Sequence, residues 1–95
     1  MRLIVTDAAR ADLKEIARYS GREWGAARKQ RYMQLMRDRF RELLRSPDLG
    51  PARDELGACH RGLVAGSHVI FYRRVRGQIV VMRVLHQRMD VHLHL

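Results

Sequence analysis

The spacing of apolar residues changes twice along the chain, and those changes divide it into elements. Leu3, Ile4 and Val5 form a short β-type run that stops at Thr6-Asp7. A threonine hydroxyl at that point caps a following helix, and the positive end of the helix dipole favours Asp7 in the first turn. Ala9, Leu13, Ile16, Ala17 and Ser20 then recur at helical spacing, with Arg10, Lys14 and Arg18 on the opposite side. Gly21 and Gly25 bracket Arg22-Glu23-Trp24, so a bend or fraying is expected there before a second helix opens. That helix runs from about Ala26 to Arg45 and stops at Ser46-Pro47-Asp48-Leu49-Gly50. It carries Tyr32, Met33, Met36, Phe40, Leu43 and Leu44 on one stripe. The short link between the two predicts an antiparallel helical hairpin.

From Pro51 to Cys59 the composition is turn-like, and beyond it the period becomes two. Runs at His60 to Val64, His68 to Arg74 and Ile79 to His86 are separated by Ala65-Gly66-Ser67 and by a turn around Arg76-Gly77, which predicts a three-stranded antiparallel meander. Strict alternation in the last run sends Val80, Met82 and Val84 one way and Ile79, Val81, Arg83 and Leu85 the other. Both faces are then largely apolar, the mark of a central strand. A helical hairpin covers one face of a small sheet, so the expected core is Leu13, Ile16, Met36, Phe40, Leu43, Val80, Met82 and Val84. Ile79, Val81 and Leu85 are expected on an uncovered apolar face that serves for docking. The reading is a single α+β domain over 1–95, β-α-α-β-β-β, with a helical hairpin on a small antiparallel sheet.

Charge adds a partner class to this picture. The 95 residues carry 19 Lys+Arg against 10 Asp+Glu, a formal +9. Between Ala26 and Arg45, Arg28, Lys29, Arg31, Arg37, Arg39, Arg41 and Arg45 oppose only Asp38 and Glu42, so one helix holds more than half of the excess. Such a balance points to nucleic acid or to an acidic protein, with fast, salt-sensitive association. Cys59 is the single cysteine, which rules out an intrachain disulfide and a multi-cysteine zinc site and makes a reducing cytoplasm the default. No secretion signal or membrane-length apolar run is visible, so no membrane partner is expected.

Candidate chemistry is sparse. Five histidines stand at 60, 68, 86, 92 and 94, and an extended tail would put His92 and His94 on one face, yet no third ligand follows at metal-binding spacing. Neither a metal nor a cofactor is expected, and no glycine-rich phosphate loop follows a strand. His86 ends the last strand just before Arg88 and Asp90. An imidazole among arginines suits proton transfer in RNA cleavage, and it equally suits a structural hydrogen bond while Arg88 and Asp90 pair locally. Tyr19, Trp24 and Tyr32 gather near the hairpin tip, as core aromatics or as binding anchors.

Several of these segments together resemble a known family. Thr6-Asp7-Ala8-Ala9-Arg10-Ala11-Asp12-Leu13 with Ile16, the Trp24-Gly25 pair, Ser46-Pro47-Asp48-Leu49-Gly50, Gly66-Ser67-His68-Val69-Ile70-Phe71-Tyr72-Arg73 and Val84-Leu85-His86-Gln87-Arg88-Met89-Asp90 are similar to the ParE toxins of bacterial type II toxin-antitoxin systems, within the RelE/ParE superfamily. The likeness is nearly full length, and the family's fold has the element order read above. It implies a non-enzymatic toxin of plasmid-stabilisation type that poisons DNA gyrase and is silenced by a ParD-like antitoxin. That antitoxin is a ribbon-helix-helix DNA-binding dimer with an acidic C-terminal tail, so this chain would meet operator DNA only through it. On this reading Arg61, Arg83, His86, Arg88, Asp90 and Trp24 serve toxicity toward gyrase. Tyr19, Trp24, Arg31, Tyr32, Arg73, Ile79, Val81 and Leu85 receive the antitoxin. The superfamily's other branch cleaves messenger RNA on the ribosome, and His86, Arg61 and Arg83 are the residues that would serve it. In Cys59-His60-Arg61-Gly62 glycine stands where relatives usually carry a second basic residue, and no tyrosine follows Tyr72.

Overall fold

Thr6 joins the first strand, the first helix and the sheet through one hydroxyl. In the computed structural model, which describes residues 1–95, its Oγ1 accepts from the Ala9 amide at 3.1 Å and donates to the Met82 carbonyl at 2.9 Å. The elements are β1 (Arg2–Val5), α1 (Asp7–Trp24), α2 (Ala26–Arg45), β2 (His60–Ala65), β3 (His68–Val75) and β4 (Gln78–His86). Single 3-10 turns lie at Asp54–Leu56 and Val91–Leu93. The helix boundary falls at Gly25, whose φ of 83° is open to glycine at little cost. α1 runs straight through Gly21, contrary to the expected bend. A side chain at Gly21 would stand 3.3 Å from the Lys29 stem, so the small residue serves helix packing rather than helix breaking.

The sheet order is β1-β4-β3-β2, with β1 parallel to β4 and the other two pairings antiparallel. β4 is central, as its two apolar faces required, but the sheet is mixed rather than wholly antiparallel. The helical hairpin and β2-β3 together form the long crossover that a parallel neighbour demands. Both helices pack on one face, where Ala9, Ile16, Met36, Leu43, Ile70, Tyr72, Ile79, Val81 and Val84 form the main core, with Leu13 and Phe40 against it.

That list corrects the expected facing of β4. Tyr72 pairs with Val81 and Phe71 with Arg83, leaving Met82 as an extra residue in the ladder. A bulge of this kind resets the alternation, so Ile79 and Val81 share the helix side with Val84, while Val80 and Met82 do not. Ile79 and Val81 are therefore 0% exposed, and Leu85 is 2% exposed. None of the three lies on an uncovered surface. Leu85 is closed over by Val91 and packs with Phe71, with Leu56 and Val69 against the cluster. The chain's own two 3-10 turns thus cover part of the second face.

Candidate functional site

The end of the sheet at the β3 start and β4 end meets the tip of the helical hairpin, and a groove of about 360 Å³ opens there. Its walls are Asp12, Glu15, Ile16, Tyr19, Ser20 and Trp24 from α1, and Ser67, His68, Val84, Leu85, His86 and Met89 from the sheet end. Side chains from four elements stack edge to face across it. Ring centroids are 6.3 Å apart for Tyr19 and Trp24, 5.6 Å for Trp24 and Tyr32, 5.6 Å for Tyr32 and His68, and 5.3 Å for His68 and His86. Tyr19 and Met89 stand about half exposed at the rim, at 51% and 49%. Arg28 lies 4.6 Å over the Trp24 ring, a cation-π contact that fixes the indole from outside.

Hydrogen bonds set the chemistry of the two imidazoles. The Tyr32 hydroxyl accepts from the Ser67 amide at 2.9 Å, reaches the Ala65 carbonyl at 3.4 Å and lies 2.6 Å from His68 Nδ1. Burial and then the neighbouring His86 hold the His68 pKa below its ordinary value, with Asp12 opposing. His86 Nδ1 accepts from the Arg88 amide at 3.1 Å. A neutral ring bound in that way carries its proton on Nε2, so His86 is a donor for a carbonyl or carboxylate.

The two arginines expected to join His86 are committed elsewhere. Arg83 forms a two-pronged bond to Asp12, Nε to Oδ2 at 2.7 Å and Nη2 to Oδ1 at 2.8 Å, and donates through Nη1 to the His94 carbonyl at 3.0 Å. The Asp12 contact raises the Arg83 pKa further. Asp12 also accepts from the Val84 amide at 2.9 Å, which satisfies β4 beyond the end of β1. Arg61 donates to the Gly50 carbonyl at 2.8 Å and the Asp48 carbonyl at 3.2 Å. Its rung on the sheet is that of Tyr72, whereas His86 shares the rung of His68, about 13 Å further along β3 at the usual rise per residue. Arg61 is thus not brought to His86, while Arg83 stands against the groove wall with its guanidinium taken up by Asp12.

Of the remaining expected residues, Trp24 and Tyr32 are half-buried in the ladder and Tyr19 is exposed beside them. Arg88 and Asp90 are exposed, and instead of pairing with Arg88 the Asp90 carboxylate caps the final turn through the His92 amide at 3.0 Å. That turn also removes the extended geometry on which a shared face for His92 and His94 depended. Arg31 is exposed on α2, and Arg73 is half-buried on the sheet face away from the helices, its buried Nε lacking any hydrogen-bond partner. Asp12 went unrecognised in the sequence, because its partners stand 71 and 72 positions away and nothing local signals them.

Residues 3–91 match the protein family described as "ParE toxin of type II toxin-antitoxin system, parDE". The chain belongs to this family. A "Toxin ParE1" of Mycobacterium tuberculosis is 40% identical over 91 residues, covering 95% of this chain and 93% of the relative. A "Toxin ParE1" of Caulobacter vibrioides is 36% identical over 87 residues, covering 92% and 90%. Among solved structures, the "Chromosomal ParDE TA system from P. aeruginosa" superposes with a TM-score of 0.78 over 90% of this chain and 95% of that one, at 20% identity, and so supports the ParE fold. No helix of this ParE chain is long and apolar enough to cross a membrane.

Proposed function

We propose that this ParE-family toxin acts in the cytoplasm, as a single domain over 1–95, by stalling DNA gyrase on cleaved DNA. The observation that carries the reading is the near full-length similarity to ParE toxins, 40% identity across 95% of the chain. The outer end of the groove supplies its gyrase contacts, with Arg88, His86, Asp90 and Trp24 as the accessible polar and aromatic groups. Arg83 and Arg61 support that surface from within, since their guanidiniums already hold Asp12 and the Asp48-Gly50 loop.

The neutralising partner on this reading is a ParD-like ribbon-helix-helix antitoxin with an acidic tail. Its apolar side chains enter the groove against Tyr19, Trp24 and the Tyr32 edge, and a carboxylate accepts from His86 Nε2. The half-buried Arg73 guanidinium on the opposite sheet face, which pairs with no carboxylate of this chain, offers a second acidic contact. A charge of +9 steers such a tail, so association weakens as salt rises.

The test pairs two assays on the refolded, antitoxin-free protein: DNA supercoiling by purified gyrase and messenger RNA cleavage on translating ribosomes. Accumulated cleaved DNA with intact RNA is expected. Cut RNA with unaffected gyrase overturns the reading. Within the gyrase assay, Arg88→Ala is expected to weaken poisoning at least tenfold while the fold persists, and unchanged potency removes Arg88 from the contact surface.

A further inference from the structure

We propose that the solvent-facing stripe of α2 binds the phosphate backbone of duplex DNA. Its seven basic residues do not have equal freedom. Arg39 pairs with Glu42 at 2.8 Å, Arg41 lies 3.6 Å from Asp38, and Arg28 rests on Trp24. Arg31, Arg37 and Arg45 are exposed and have no carboxylate partner. At about 100° and 1.5 Å per residue these three share a face roughly 120° wide with Arg41 and span about 21 Å. An open hollow of about 740 Å³ borders the N-terminal half of that face, with Gln30, Arg31, Gln34 and Arg37 on the side of the stripe and Lys29 and Met33 beyond it.

The comb is partly fixed in advance. Gln34 Oε1 accepts from Arg37 Nε at 3.1 Å and Nη2 at 3.0 Å, while Gln34 Nε2 donates to Asp38 at 2.9 Å. The guanidinium is thereby oriented with its remaining N–H groups free for phosphate oxygens.

Side-chain type selects the occupant. Protein partners are anchored by desolvated apolar or aromatic groups. This face carries no exposed large apolar residue before Leu44, only arginines, glutamines, alanine and Asp38, whose carboxylate is already engaged by Gln34 and Arg41. Arginines and amides suit a wet contact with phosphates. The absence of an exposed aromatic from the stripe removes the stacking platform that unpaired bases require, which favours a duplex. The choice of DNA over duplex RNA rests on the gyrase reading above. Arg31, which the family resemblance places at the antitoxin contact, lies on this stripe. Tyr32 and the groove lie on the other side of α2, about 160° round the helix from the centre of the stripe, so DNA and a groove-bound antitoxin do not compete.

The full chain is titrated against a labelled 20-base-pair DNA duplex between about 50 and 200 mM salt, with no gyrase present. Non-specific affinity on the order of 10⁻⁴ to 10⁻⁶ M is expected, with a log–log salt slope of about −3 to −4 for three or four phosphate contacts. Arg31→Gln, Arg37→Gln and Arg45→Gln together are expected to weaken binding at least tenfold and to flatten the slope by about 3. Removing the same charge elsewhere, by Arg2→Gln, Arg10→Gln and Lys14→Gln, is expected to leave most of the slope. Equal loss from both triple variants, binding that survives the first, or a preference for duplex RNA or single strands each overturns the proposal. DNA binding through this stripe without gyrase poisoning overturns the functional reading alone, and poisoning without DNA binding overturns the stripe alone.

Discussion

At the scale of single residues, two side chains connect distant parts of the chain. Asp12 receives the Arg83 fork and the Val84 amide together, and both charged side chains are mostly shielded. Truncating it leaves a guanidinium and a strand N–H without their acceptor. Asp12→Ala is therefore expected to lower stability by about 2–4 kcal/mol in urea unfolding, more than Arg83→Ala, which leaves the carboxylate still holding Val84. A smaller loss for Asp12→Ala would show that solvent replaces these bonds. Tyr72 is 0% exposed; its hydroxyl donates to the Pro47 carbonyl at 2.7 Å and accepts from the Gly50 amide at 3.0 Å. Burial holds its pKa above the ordinary phenol value. Tyr72→Phe keeps the ring and orphans two backbone groups, so a loss of about 1–3 kcal/mol is expected by thermal or urea unfolding.

At the scale of elements, the hairpin turns and the bulge decide which side chains meet. Arg76 and Gly77 both take positive φ, as tight two-residue hairpins require. Gly66 takes φ 60°, and a β-carbon there would lie 2.6 Å from the Tyr32 ring, which is held at its hydroxyl. Gly66→Ala is expected to cost about 1–3 kcal/mol and to push Tyr32 out of the ladder. Trp24 lies 5.6 Å from Tyr32, so its fluorescence reports the shift; an unchanged spectrum would mean the turn moves instead. The groove was half legible in the sequence. Tyr19, Trp24 and Tyr32 gather at the hairpin tip by helical spacing alone. His68 and His86 join them only because β3 and β4 pair in one register, and that register sets them on a common rung.

At the scale of the whole molecule, charge and acidity govern behaviour. His68 sits among Tyr32, His86 and Asp12, with its pKa held below 6.5 chiefly by burial. Such a group binds more protons in the unfolded chain. Its contribution is complete above pH 6.5 and is lost as pH falls through that value toward the folded pKa. The protein is accordingly expected to lose stability between pH 7.5 and 5.5 under constant salt, and His68→Gln to lose less over the same interval. Parallel pH profiles for the two proteins would assign the acid response to other groups.

Local sequence determined what local physics can decide. The 3.6 and 2.0 periods, the Thr6 cap, the glycine at 25 and the turn residues set the elements and their order, and composition set the charge. Tertiary structure decided what depends on residues far apart in the chain. The parallel docking of β1 on β4 follows from where the crossover ends. The Met82 bulge turned the expected inner face outward, because alternation is a local rule and a bulge arises only against a partner strand. Arg61 and Arg83, the arginines most readily assigned to function at the sheet edge, are held by carbonyls and by Asp12 that only folding brings within reach. The charge of a residue can be read from one letter, but its freedom depends on what the fold places beside it.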